Sequence, residues 1–432
     1  MAKMGFFYCR FFKYLIINLF ISLILLTSCS PARRIAKTNL KNTAFQNSFH
    51  GLVVMDAKTQ KELINVNGDK YFTPASNTKI ITFYTGVKLL PKYIPTLTYS
   101  ISNDTVFVKG TGDPSWLHPH LHDSTAVTWL KNQETIALYT KNTEDLRYGP
   151  GWAWEDFDTY FSPERTPMPL YGNVVTISNT DSLGLNVSPI SFLEDTEIRE
   201  HPFKRDEFAN HFYIDPTEQD TLEVPYVTSD SLTQQLLESV LDKKISVVDH
   251  FPEEPGQTLF GMETDSIYKQ MLFKSDNFLA EQLLMTASSM ISDTLGTKRA
   301  IDYMLEHDLN DLEQQPRWVD GSGLSRYNLF TPKSFVQILH KLYKEVPEER
   351  LFALFPMWGP DSTVKEWEDP STEPFLFAKS GSVGNNYNLS GFIRTKSGKL
   401  LIFSFMNNHF KVPSIEIRKT MYATLKELYE RY

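Results

Sequence analysis

Two kinds of hydrophobic spacing divide the chain. From Gly51 the apolar run Leu52 to Met55 ends at Asp56, a polar turn follows at Lys58-Thr59-Gln60, and Glu62 to Asn67 alternates, which predicts a β-hairpin. Phe72-Thr-Pro-Ala-Ser76-Asn-Thr-Lys79 then leads into a helical pattern over Ile80 to Leu90, its start marked by Thr, Pro and Ser. Between about residues 91 and 252 the character changes to Pro, Gly, aromatics and short alternating runs such as Thr105 to Val108 and Asn173 to Ile177, which predicts an inserted β-rich region. Helical spacing returns at Ser231 to Lys244 and strengthens through Thr264 to Ser289, Thr297 to Glu306 and Thr331 to Tyr343. Alternation then predicts three strands, Phe375 to Ala378, Leu389 to Arg394 and Leu400 to Met406, before a final helix from Ser414 to Tyr432. End strands must find each other to make a sheet, so the expected fold class is α/β in α+β layers: an antiparallel sheet flanked by helices, split by the insertion.

The first thirty residues follow neither pattern. Lys3, Arg10 and Lys13 punctuate an aromatic start, and the nearly unbroken apolar run Tyr14 to Leu26 falls short of the roughly 20 residues a spanning helix needs. The run ends in Leu26-Thr-Ser-Cys29, which resembles the lipobox of bacterial lipoproteins; that likeness implies removal of residues 1–28 and lipidation of Cys29. Residues 29–48 then read as a tether, 49–90 and 253–432 as one catalytic domain, and 91–252 as the insertion. Because Ser30 is not the aspartate associated with inner-membrane retention, the expectation is an exported, periplasm-facing lipoprotein on the outer membrane.

Composition narrows the partners. The 432 residues are 41% hydrophobic and carry a formal net charge of -9 with no Lys/Arg-rich block, so a phosphate backbone would be repelled and nucleic acid is not an expected partner. Of the two cysteines, Cys9 lies in the segment to be removed, leaving the exported domain no thiol pair to oxidise.

Ser76 and Lys79 stand three apart at a helix start, which puts an ammonium one turn above a hydroxyl on the same face. That suits a nucleophile and its base, provided burial or cationic neighbours lower the lysine pKa. The spacing alone selects nothing, since Ser266-Ile-Tyr-Lys269 and Ser362-Thr-Val-Lys365 share it. Order selects. Ser275-Asp-Asn277 offers a hydroxyl and an amide, Lys379-Ser380-Gly381 a cation, a hydroxyl and a residue permitting close backbone approach, and only Ser76 precedes both at a distance.

The chain resembles the D-alanyl-D-alanine carboxypeptidase/endopeptidase family, the class C low-molecular-mass penicillin-binding proteins. Gly110-Thr-Gly-Asp-Pro114, Gly149-Pro-Gly-Trp-Ala-Trp154, Ser275 to Glu281, Asp320-Gly-Ser-Gly-Leu-Ser-Arg326 and Leu389-Ser-Gly-Phe392 follow in that family's order, over about Gly51 to Asn408. The resemblance implies a penicillin-binding-protein/β-lactamase-like transpeptidase domain without a cofactor or metal. In it Ser76 is the acylated nucleophile, Lys79 its base, Ser275 and Asn277 the second wall, Lys379 and Ser380 the carboxylate cradle, and the amides of Ser76 and Ser382 the oxyanion hole. Implied partners are peptidoglycan peptides ending in D-Ala-D-Ala and β-lactams. Ser380 departs from the threonine common in the family but keeps the hydroxyl.

Three other readings compete. A β-lactamase would use the same motifs plus a deacylating glutamate, and Glu306-His-Asp-Leu-Asn310 fits an ExxLN element, although it also reads as a helix end. His118-Pro-His-Leu-His122 could line an extended segment as zinc ligands, but no nearby acid is placed as a base. A lipid-anchored wall-binding protein with a silent Ser76 is the third. Trp152 and Trp154 could stack on wall sugars, with packing the alternative role; Asp320 and Arg326 read as a structural turn.

Overall fold

The computed structural model describes residues 31–180, 184–253, 256–357 and 374–432. Cys29 and the Ser362–Lys365 pair lie outside them.

The two ends of the chain meet in one antiparallel sheet of five strands, in the spatial order Leu376–Val383, Asn386–Arg394, Leu400–Asn408, Phe49–Asp56, Glu62–Val66. Phe49–Asp56 is the centre of this closure. It pairs along its whole length with Leu400–Asn408, Leu52 opposite Phe405, and with the second arm of its own hairpin, Leu52 opposite Val66. Alternation explains why the sheet is covered twice. Ile402, Met406, Val53 and Phe392 face one core with the helices Thr78–Leu89, Thr264–Lys274, Asn277–Ser288, Thr297–His307, Pro332–Glu345 and Glu348–Leu354. Leu401, Phe403, Phe405, Leu52 and Val54 face a second core closed by Pro31–Asn39 and Ser414–Arg431. Burying both faces removes apolar area from water at about 25 cal/mol per Å² and leaves little tolerance for a register slip, which would exchange the two face sets.

The insertion has a core of its own, with Leu97, Val108, Leu138, Val175, Phe212 and Leu237 among its members. Its largest sheet runs Ser246–Val247, Thr135–Tyr139, Thr105–Gly110, Tyr93–Ser102, Gln257–Glu263. The last of these strands pairs antiparallel with Tyr93–Ser102, so the inserted sheet continues past residue 252, where the composition changes, to Glu263. Two helices, Thr125–Lys131 and Asp230–Leu241, pack on this β-rich unit.

The long helical pattern from Thr264 to Ser289 is two helices. Thr264–Lys274 ends at Ser275, whose φ of 58° is left-handed. Asp276 then caps Asn277–Ser288, its carboxylate accepting from Leu279 N at 3.0 Å. Apolar spacing runs through the break because both helices bury against the same core. The break itself projects Ser275 and Asn277 toward the nucleophile.

Candidate active site

Ser76 sits in a single 3₁₀ turn, Ala75–Asn77, just before the Thr78–Leu89 helix. The preceding Ala75 has φ 48°, a conformation that costs a non-glycine residue roughly 1 kcal/mol and must be held from outside. The sheet holds it. Asn388 Nδ2 donates to the carbonyls of Thr73 and Pro74, both at 2.9 Å, and Thr73 N donates to Asn408 Oδ1 at 2.7 Å. Asn77 Nδ2 donates to Ser390 Oγ, which donates to Ser404 Oγ, both at 2.8 Å. Only the side chain of Ser76 itself is left toward the cleft, where it is partly exposed.

Lys79, one turn on, is fully buried. Its Nζ donates to Ser76 Oγ at 3.0 Å, Asn277 Oδ1 at 2.6 Å and the Ser322 carbonyl at 2.8 Å, which uses all three N–H bonds of an ammonium. Burial pulls its pKa down to about 8, against the opposing pull of Asp276, Asp320 and Glu281. Lys379 is buried too, in the edge strand Leu376–Val383, and donates to Ser275 Oγ at 2.9 Å and the Ser380 carbonyl at 2.7 Å. Burial, then the nearby charge of Lys79, holds it well below the usual lysine range. Gly381 lets this edge strand touch the nucleophile's turn: a Cβ there would lie 2.5 Å from the Pro74 carbonyl oxygen and 2.9 Å from Ser76 N. Ser380 is partly exposed and Ser382 exposed on the same strand, with Ser382 lining the cleft.

Ser76, Lys79, Ser275, Asn277, Lys379, Ser380 and Ser382 are thus brought to one place. Ser266 and Lys269, with the same spacing, are exposed on a helix, Lys269 lying over the Phe273 ring at 5.5 Å.

The sequence leaves Asp320 in a turn; the structure makes it a hub. Its Oδ1 accepts from Gly323 N at 2.9 Å and Asn328 Nδ2 at 2.7 Å, and its Oδ2 from Ser325 N at 2.6 Å and Trp152 Nε1 at 2.9 Å. This fixes the loop that presents the Ser322 carbonyl to Lys79, and packs Gly323 so closely that a Cβ there would stand 1.9 Å from the Ala75 carbonyl oxygen. Glu281 Oε1 accepts from Ser322 N at 2.8 Å, and its Oε2 lies 3.6 Å from Arg165 Nη1. Burial, reinforced by Asp320, raises the Glu281 pKa.

The cleft beside Ser76 measures about 750 Å³. Its lining includes Gln270, Lys274, His120 and Glu223 as well as Asp156, Tyr160, Arg326 and Gly384. The three histidines form no ligand set, although the His118 and His120 rings meet edge to face at 5.8 Å. His118 is buried and stacks on Phe278, His120 Nε2 pairs with Glu223 Oε1 at 2.6 Å, and His122 is exposed; among the described residues no cluster of three or more His, Cys, Asp or Glu could hold a metal ion. Glu306 and Asn310 close a helix end, Asn310 Nδ2 donating to the Glu306 carbonyl at 3.0 Å, and neither lines the cleft. Trp152 is tied to Asp320, whereas Trp154 stays exposed.

Comparison with known proteins gives one consistent result. The family model for the D-Ala-D-Ala carboxypeptidase 3 (S13) family matches residues 32–194 and 229–428. The chain is 23% identical over 438 residues to D-alanyl-D-alanine carboxypeptidase DacB of Haemophilus influenzae, covering 87% of this chain and 88% of that protein. It is 25% identical over 399 residues to penicillin-sensitive carboxypeptidase A of Dictyostelium discoideum, covering 77% and 76%. Among solved structures, penicillin binding protein 4 of H. influenzae superposes with a TM-score of 0.67 at 19% identity, over 92% of this chain and 98% of that one. The same protein complexed with a novel β-lactam gives 0.63 at 18% identity, over 93% and 100%.

The hub makes a prediction of its own. Every partner of the Asp320 carboxylate is an N–H donor, so Asp320→Asn must turn an amide nitrogen against at least one of them. The substitution is expected to cost about 3 kcal/mol, read as a lowered thermal unfolding midpoint, and an unchanged midpoint would contradict the hub.

Proposed function

The chain belongs to the D-Ala-D-Ala carboxypeptidase 3 (S13) family, and from that premise we propose how its residues divide the work. The protein is a serine-type, penicillin-sensitive D-Ala-D-Ala carboxypeptidase, with a penicillin-binding-protein/β-lactamase-like fold, that takes D-Ala-D-Ala peptides and β-lactams. One observation carries the assignment of roles: a buried lysine of lowered pKa bonded at once to Ser76 Oγ and Asn277 Oδ1.

Ser76 Oγ attacks the carbonyl carbon of the penultimate D-alanine while neutral Lys79 Nζ takes its proton. The amides of Ser76 and Ser382 receive the oxyanion where the edge strand closes on the nucleophile's turn at Gly381. The C–N bond breaks as the leaving nitrogen takes up the proton that Lys79 had accepted, the terminal D-alanine departs as the free amine, and water hydrolyses the ester on Ser76, its second proton returning to Ser76 Oγ. Lys379, with Ser380 on the same strand, supplies the charge for the terminal carboxylate; an arriving anion opposes the burial that depresses the lysine pKa, so substrate and cation stabilise each other's charge. Ser275, bonded to Lys379, and Asn277, bonded to Lys79, form the facing wall. The same chemistry cuts a D-alanyl crosslink when the leaving group is a second stem peptide. The lipobox-like Leu26 to Cys29 supports export to the periplasm and a lipid anchor on Cys29 in the outer membrane.

Three measurements test these assignments. Incubation with penicillin is expected to add one penicilloyl group, mapped to Ser76 by peptide mass; Ser76→Ala should show no adduct, and labelling at any other serine would overturn the role of Ser76. Because only neutral Lys79 accepts the proton and its pKa is about 8, acylation should rise about tenfold per pH unit below that value and level off above it. A rate independent of pH between 6 and 8 would remove Lys79 as the base. Cys29→Ser should shift the protein from membrane to soluble fractions, and unchanged membrane recovery would count against the anchor.

A further inference from the structure

A second concavity of about 230 Å³ opens on the insertion, lined by Arg147, Tyr148, Trp152, Ala153, Trp154, Phe157, Glu164, Glu207, Phe208 and Val227. Its rim is aromatic and bare: Trp154 is 70% exposed and Phe208 83%. Leaving two such rings in water forgoes the burial that large aromatics otherwise gain, and among the described residues nothing covers them.

The site is built rather than incidental. Arg205, fully buried, donates Nη2 to the Phe157 carbonyl at 3.1 Å and Nη1 to the carbonyls of Asp206, Glu207 at 3.1 Å and Ala209 at 3.3 Å, with Nε on the Pro225 carbonyl at 2.7 Å. One side chain therefore fixes the lip that carries Phe208 against the lip that carries Trp154 and Phe157. Polar groups line the same concavity. Glu164 accepts from Arg147 Nη1 at 3.1 Å and from Thr228 N at 2.8 Å, and the Arg147 side chain is still half exposed. Flat ring faces beside a carboxylate and a guanidinium match a pyranose, which presents C–H groups on one face and hydroxyl and acetamido groups around its edge.

Position supplies the occupant. The segment from Trp152 to Phe161 lines both cavities, Trp152, Trp154 and Phe157 the aromatic one and Asp156, Tyr160 and Phe161 the catalytic one. Resting on the carboxypeptidase reading, the terminal carboxylate is held at Lys379 and Ser380, and the stem peptide upstream of it occupies the catalytic cleft. A stem peptide that leaves the cleft along this shared segment, past Asp156, meets Trp154 two residues away. We propose that this aromatic concavity binds the N-acetylated sugar of the glycan strand to which the stem peptide is attached.

The experiment compares kcat/KM for a disaccharide-linked pentapeptide with that for the free pentapeptide. Wild-type protein should favour the sugar-bearing substrate by about tenfold, mainly through KM, and Trp154→Ala and Phe208→Ala should bring the ratio near unity while Trp154→Phe keeps most of it. Free-peptide turnover and penicillin acylation should be unchanged in all three, since both rings are exposed and outside the catalytic cleft. A wild-type ratio near one, or a ratio that Trp154→Ala leaves intact, overturns the sugar site. So does concentration-dependent self-association lost in Trp154→Ala with the ratio unchanged, which would assign the surface to a second copy of the chain. Absent free-peptide turnover and penicilloylation in the wild type would instead refute the carboxypeptidase reading itself.

Discussion

Two lysine ammonium groups taken out of water in one cleft are the constraint on which the rest of this structure depends. Removing a charge from water costs several kcal/mol even after relaxation, and two like charges side by side add to it. Lys79 meets the cost with three acceptors, and Asp276, Asp320 and Glu281 oppose the effect of burial, so its pKa stops at about 8 instead of falling further. Lys379 has fewer compensations, Ser275 Oγ and the Ser380 carbonyl, with Lys79 against it. The asymmetry divides the work: Lys79, near 8, can lose and take a proton close to neutral pH, whereas Lys379, held lower, recovers its charge when a substrate brings an anion.

Those acceptors are useful only if they cannot move, which explains the polar network under the site. Asn388, Asn408, Ser390 and Ser404 are buried polar groups in the central strands, costly unless paired, and their hydrogen bonds run to the nucleophile's turn, to each other and to the adjacent strand. The sheet therefore does more than close the chain's ends on each other. It holds Ala75 in a left-handed conformation that the turn would not keep alone. Asp320 does the same for the loop presenting the Ser322 carbonyl, through four N–H donors that include one from the insertion, Trp152.

What could be read in the sequence follows from this division. Strands and helices of the sheet layers show in periodicity because two cores demand alternation, and the end-strand pairing follows from it. The shared spacing of three Ser-x-x-Lys pairs shows nothing until the order of later motifs is added. The break at Ser275 was hidden, because both helices bury against one core and apolar spacing passes through it; the signal available was Asp276, a good cap. Composition places the end of the insertion too early, since Gln257–Glu263 joins its sheet by pairing with a strand some 160 residues earlier in the chain. Asp320 reads as a turn residue because three of its partners, Gly323 N, Ser325 N and Asn328 Nδ2, are those a local turn would give, and the distant one, the Trp152 side chain, leaves no periodic mark.

The insertion's place in the chain has a mechanical consequence. It leaves the catalytic domain after the helix carrying Lys79 and returns just before the helix ending at Ser275, so both its roots enter walls of the cleft. Asn277 shows what that connection does. Its Oδ1 accepts from Lys79 at 2.6 Å while its Nδ2 donates to the Phe161 carbonyl of the insertion at 2.9 Å. An amide turned over would set its nitrogen against an ammonium and its oxygen against a carbonyl, two repulsions in place of two bonds. The inserted region thus fixes which end of Asn277 meets the lysine, and through it one of the three acceptors on which a buried base depends.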